Sequence, residues 1–155
     1  MANDNKMMIV DESSLKDKIY IIRGQQVMLD FDLAEIYGYT TKAFNQQVKN
    51  NIERFPDDFK FQLTRIEVEK LSRSKILTSM QTAGIKGGRA YLPYVFTEQG
   101  IYMLMSVLKG DLAISQSITL IRLFKSMKDY FIENQPLLTQ KAFADLAYIF
   151  DELSW

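Results

Sequence analysis

Gly38 separates two short helical patterns, and that break constrains the chain more than any other feature of its sequence. Before it, Leu33, Ile36 and Tyr37 give an apolar side, and Asp30 or Asp32 can cap the start. Asp32 has Glu35 three residues on, the spacing of a capping box. A glycine just past a last turn ends a helix by taking the left-handed conformation. After it, Thr40 or Thr41 restarts a helix. This second helix runs to about Arg54, where Phe55-Pro56 stops it. Phe44, Val48, Ile52 and Phe55 recur at helical spacing and are expected to face inward. Lys42, Gln46, Lys49, Asn50 and Glu53 fall on the opposite side, with Asn45 at its margin. With Ala34 allowing close approach, Asp30–Arg54 reads as a helix-turn-helix-like pair.

The flanks predict an α+β fold. Ile19–Ile22 and Gln26–Leu29 read as the strands of a small N-terminal hairpin around the turn Arg23-Gly24-Gln25-Gln26. Phe59–Leu63 alternates as a strand, and Thr64 with Glu67 has capping-box spacing for a helix over Arg65–Ser72. Periodicity fails from Arg73 to Arg89, which contains Gly84, Gly87 and Gly88 and reads as a long mobile loop or a hairpin tip around Lys86-Gly87-Gly88-Arg89. Tyr91–Phe96 is a further strand, edged or interrupted by Pro93. C-terminal helices follow over Thr97–Leu108, Leu112–Asn134 and Leu137–Leu153, with Pro136 dividing the last two. In the helix Leu112–Asn134, Ile114, Ile118, Ile121 and Phe124 are expected inside, with Leu120, Leu123, Met127 and Phe131 beside them. The last helix has Phe143, Leu146, Ala147 and Phe150 on one side. The organisation expected is a flexible lead over 1–17, one domain over 18–134 and a helical appendage over 135–155.

Composition narrows the chemistry. The 155 residues contain no cysteine and no histidine. That excludes a zinc finger, a disulfide framework, and any Ser or Cys nucleophile that depends on a histidine base. No apolar run is long enough for a membrane helix, and the polar N-terminus lacks a signal core, so a cytoplasmic protein away from membranes is expected. Asp57, Asp58 and Lys60 resemble a metal-dependent nuclease triad only faintly, because turn and strand grammar accounts for them. Glu67 and Glu69 stand two apart, on different helix faces. No enzyme, cofactor or metal is expected.

Nucleic acid is the better match. Net charge is zero, yet residues 60–89 carry seven basic and two acidic side chains, while both ends are acidic. A local basic surface on a neutral protein can still meet phosphates. Asn and Gln pair with adenine and Lys with guanine in the major groove, so Lys42, Asn45, Gln46, Lys49 and Asn50 are candidates for reading duplex DNA. Arg73, Lys75, Lys86 and Arg89, among glycines whose amides can approach an anion closely, are candidates for phosphate contact. The same patterns also describe an ordinary amphipathic helix and a plain surface loop, and pattern alone does not separate these readings.

Several runs carry a family resemblance. Ile22–Val27, Leu33–Gly38, Asn45–Leu63, Gly87–Pro93 and Phe96–Gly100 resemble, in this order, the phage "ORF six N-terminal" domain, a relative of the KilA-N domain. The resemblance implies an α+β DNA-binding domain of phages and mobile elements, found in antirepressor-like or regulatory proteins, with neither catalysis nor cofactor. Asn50 and Ala90 depart from the pattern, which usually or often has arginine at those positions. A second reading stays open: a module that sequesters a repressor protein without binding DNA. It draws on the zero net charge, the acidic C-terminus and the wide apolar arc of the helix Leu112–Asn134. That arc accommodates a homodimer under either reading.

Overall fold

The computed structural model describes residues 12–71 and 91–153, with the side chains of the last helix described to Asn134 and again at Ala144, Asp145 and Ala147. The elements are α1 (Glu12–Lys16), β1 (Ile19–Ile22), β2 (Gln25–Leu29), α2 (Asp30–Ile36), α3 (Thr41–Asn50), a 3-10 turn (Ile52–Arg54), β3 (Lys60–Gln62), α4 (Arg65–Lys70), β4 (Tyr94–Thr97), α5 (Glu98–Leu104) and α6 (Asp111–Leu153). The fold is α+β.

The four strands form one antiparallel sheet in the order β1-β2-β4-β3. The hairpin turn is tighter than expected, because Ile22 pairs with Gln25 and only Arg23-Gly24 turns. Both turn residues have positive φ, the conformation that matches the twist of a two-residue hairpin. Arg23 is held there by its guanidinium, which donates to both Glu67 carboxylate oxygens at 2.8 and 2.9 Å and lies over the Phe61 ring. That pairing holds the Glu67 carboxyl down at about 2. Pro93 lies just outside β4, as it must, since β4 is paired on both sides and cannot lose a donor.

Side chains alternate across the sheet and so bury both faces. Val27, Leu29 and Val95 join Tyr20, Phe31 and Leu63 on one side. Met28 and Phe96 point to the other, where α1, α2, α3, α5 and α6 supply the larger core. Phe44 and Phe55 both meet the Phe96 ring edge-on, at 5.5 and 5.8 Å.

Four expectations change. First, the end of the expected flexible lead is a helical turn whose Leu15 is fully buried; residues 1–11 lie outside the described residues. Second, Ile52 is exposed, because the α-helix ends at Asn50 and the 3-10 turn rotates Ile52 off the inward stripe. Third, α6 runs unbroken through Pro136. A proline there gives up the bond to the Ile132 carbonyl and crowds it, and the rest of the long helix carries it across that single lost bond. Fourth, Ile114, Ile118, Ile121 and Phe131 are exposed, whereas Gln116, Leu120, Leu123 and Phe124 are buried. Apolar residues occur all around this helix, so spacing alone did not give its phase. Despite its length, α6 is not apolar enough to cross a membrane, nor is any other described helix.

Candidate nucleic-acid interface

The α2–α3 pair is built by local chemistry. The Gly38 N–H donates to the Glu35 carbonyl at 3.1 Å and the Tyr39 N–H to the Ala34 carbonyl at 2.8 Å, the two bonds of a Schellman ending. Gly38 has φ +74°, and a Cβ there would sit 3.0 Å from the Leu112 side chain. Gly38→Ala is therefore expected to cost about 1–2 kcal/mol in chemical denaturation, from the left-handed strain alone. Thr40 caps α3 by accepting from the Ala43 N–H at 3.1 Å. The start of α2 is different from the expected one: Leu29 is the capping position without a side-chain bond, and the Asp30 carboxylate accepts from the Phe31 N–H at 2.7 Å. Asp32 already lies inside the helix and turns to Lys18, so the Asp32–Glu35 box does not form.

The start of α6 and the residues before it brace the turn. Gln116 donates to the Ile36 carbonyl at 2.9 Å, an orphan carbonyl at the end of α2. Tyr37 and Ser117 share a hydrogen bond of 2.8 Å, and Tyr39 donates to the Lys109 carbonyl at 2.9 Å. The turn is thus fixed from outside as well as from within, and α3 takes its direction from it.

Phe44 and Val48 bury one side of α3. Lys42, Gln46, Lys49 and Asn50 are exposed together on the other, joined by Gln47. The Gln46 side-chain amide donates to the Asn50 side-chain oxygen Oδ1 at 2.9 Å, one turn away. Arg54, beyond the helix, reaches Ser106 at 3.1 Å. Asn45 stands apart from the exposed set. Its amide donates to Asp30 at 3.0 Å, and its carbonyl oxygen is buried without a hydrogen-bond partner among the described residues. Arg73, Lys75, Lys86 and Arg89, with the Ala90 departure, lie outside the described residues.

Asp30 is the residue that sequence reasoning undervalued. It is fully buried where β2 becomes α2, and it gathers four donors: the Phe31 N–H, the Asn45 amide, the Tyr91 hydroxyl and, at 3.3 Å, the Tyr94 N–H. Burial raises its pKa, and the hydrogen bonds from Tyr91, Asn45 and the two amides oppose that rise. Burial and then the Asp30 charge push the Tyr91 hydroxyl up. Lys60, stacked 4.2 Å over the Tyr94 ring, is lowered by burial, with Asp30 opposing. One carboxylate therefore joins α2, α3 and the lead into β4. An aspartate before a helix signalled only a cap in the sequence.

Asp32 is also buried, and burial pushes its carboxyl up to about 6 against the pull of Lys18 at 3.5 Å. A folded value above the ordinary one means that the native state holds the proton more tightly. Stability from this group is full at low pH and is lost as pH rises through about 6. Asp32→Asn is expected to raise stability at pH 7 by up to about 3 kcal/mol, the rough worth of this shift, in which the opposing pull of Lys18 is already included. It should also remove that share of the decline between about pH 4 and 6 in a urea titration series. An Asn variant less stable than the parent at pH 7 would show that the Lys18 pair outweighs burial.

A family model for the ORF6N domain matches residues 17–107. The chain belongs to the ORF6N domain family. This is a phage-type domain family. The match spans the hairpin, both helices of the pair, the sheet and α5, and it stops before α6 begins. Within the ORF6N domain, Asp30, Asn45 and Tyr91 tie the helix pair to the sheet, while the exposed side of α3 is left to the solvent. Neither the curated proteins nor the solved structures contain a match to the chain.

Proposed function

We propose that the domain binds duplex DNA as part of a phage-type regulator, with α3 entering the major groove. One observation carries this reading. A helix pinned at its turn and along its buried side presents Lys42, Gln46, Lys49 and Asn50 together to solvent. Lysines meet phosphates or guanine, and the two amides have the donor–acceptor pair that reads adenine. A helix so braced meets DNA without ordering itself first, which removes an entropic cost of association. Asn45, tied to Asp30, acts here by positioning α3. The basic residues Arg73, Lys75, Lys86 and Arg89 extend the contact to phosphates.

A mobility-shift titration of the full chain on mixed-sequence duplex tests this, starting near about 50 mM salt where phosphate contacts are strongest. Lys42→Glu with Lys49→Glu should weaken binding at least about tenfold and flatten the salt dependence by roughly two units of slope. Both lysines are exposed, so the fold should be unchanged. Equal binding by parent and variant, or no binding by the parent at low salt, overturns the proposal.

A further inference from the structure

The side of α6 turned away from the body carries its own apolar line. Ile114, Ile118, Ile121 and Ile132 follow one another at intervals of four, three and eleven residues, which at 3.6 residues per turn returns to one side of the helix. They are 75, 42, 45 and 67% exposed. The core is met by the opposite side, through Leu120, Leu123 and Phe124. Single exposed isoleucines need no explanation, but three within two turns, with a fourth on the same line three turns on, make an apolar stripe of the kind that marks an interaction surface.

We infer that a second copy of this chain covers this line, its α6 lying antiparallel, with the two-fold axis at Ile132. The inference is independent of the DNA reading. Ile132 is the midpoint of α6, so an antiparallel pair about it overlaps along the whole 43-residue helix, about 64 Å. The sequence is symmetric about the same residue. Ile121, Ile118 and Ile114 stand 11, 14 and 18 residues before it, and Phe143, Leu146 and Phe150 stand 11, 14 and 18 residues after it. A two-fold axis there brings each upstream isoleucine level with a downstream apolar residue of the partner, which is the self-complementarity an isologous interface requires.

Charge selects the direction. Residues 109–128 carry four basic side chains and one acidic, whereas residues 129–153 carry one basic and five acidic. An antiparallel pair sets the basic half beside the partner's acidic half. A parallel pair sets like beside like, which is costly. Lys125 and Lys128 interrupt the apolar line, but each has a carboxylate at its side, Asp129 and Glu98 respectively. Their stems can lie along the apolar surface with the charge outward.

Sedimentation equilibrium of the full chain should give a dimer. Ile118→Asp with Ile121→Asp should weaken it by about 100-fold or more, the loss expected of a central apolar cluster. The melting of a dilute monomer should be nearly unchanged, since both side chains face solvent. The absence of cysteine allows direct mapping. Under mild oxidation, I114C mixed with F150C should give a disulfide-linked pair, and I114C alone should not. A monomer at about 100 µM, a concentration that populates even weak dimers, overturns the inference. So does a double-aspartate variant that still dimerises, or I114C cross-linking to itself as readily as to F150C.

Discussion

Replacing Gly100 by alanine is expected to cost at least about 3 kcal/mol, above the usual range for overpacking. A Cβ on Gly100 would stand 2.0 Å from the Phe59 carbonyl oxygen and 2.9 Å from its carbon. Both are backbone atoms, so no side chain can rotate away. The carbonyl cannot move either. It accepts from the Thr97 N–H at 3.0 Å, and the Thr97 hydroxyl accompanies it, 2.8 Å from the Asp58 carbonyl. Thr97 in turn ends β4 and caps α5. Relief of the clash would therefore separate α5 from the strand that positions it. Urea unfolding should show a midpoint far below that of the parent, or no cooperative transition at all. Gly24→Ala and Gly110→Ala provide the comparison, because nothing lies within 4 Å of either added carbon and only backbone strain remains. If Gly100→Ala is no worse than these two, the close approach of α5 to Phe59 is not rigid in solution.

The contrast between these glycines shows what a sequence exposes to reading. Gly38 was legible because ending a helix is a local act, completed by Glu35 and Ala34 within the same segment. The Thr64–Glu67 box was legible for the same reason, and both of its bonds are present. Gly100 gave no local sign, because what it makes room for is a carbonyl 41 positions away in the chain. The polar face of α3 was readable since Phe44 and Val48 leave only one side available. In α6, by contrast, isoleucines and leucines occupy both sides, and only contact with the core decides between them. Leu120 and Leu123 are inside and Ile118 and Ile121 outside, although all four fit a helical apolar pattern. Gln116 is the sharpest case: a buried amide is set there by the carbonyl of Ile36, which no spacing rule connects to it.

Asp30→Ala is expected to be as damaging as the glycine change, by a different route. The alanine removes the acceptor for two backbone amides, the Asn45 amide and the Tyr91 hydroxyl, in a place that water does not reach. Each buried donor left without a partner costs about 1–3 kcal/mol, and relief of the carboxylate's own burial offsets part of the sum. A net loss of about 3–5 kcal/mol follows, the range for breaking a buried charged cluster by removing one partner. Tyr91→Phe withdraws a single donor while leaving the carboxylate three others, so it should cost only about 1 kcal/mol. Asp30→Asn falls between them. It keeps one acceptor oxygen, but its amide would meet either the Phe31 N–H or the donors from Asn45, Tyr91 and Tyr94. The order Asp30→Ala, Asp30→Asn, Tyr91→Phe in urea denaturation is the measurement. If Asp30→Ala costs less than Tyr91→Phe, the carboxylate is not the hub. If the order holds, the same variants report on the support of α3 and not on its exposed side, since neither Asp30 nor Tyr91 lies on that side. If the domain binds duplex DNA as proposed, the affinity of Tyr91→Phe should still drop by a few fold at a temperature where it is fully folded, because α3 is tethered through Asn45 to the same carboxylate.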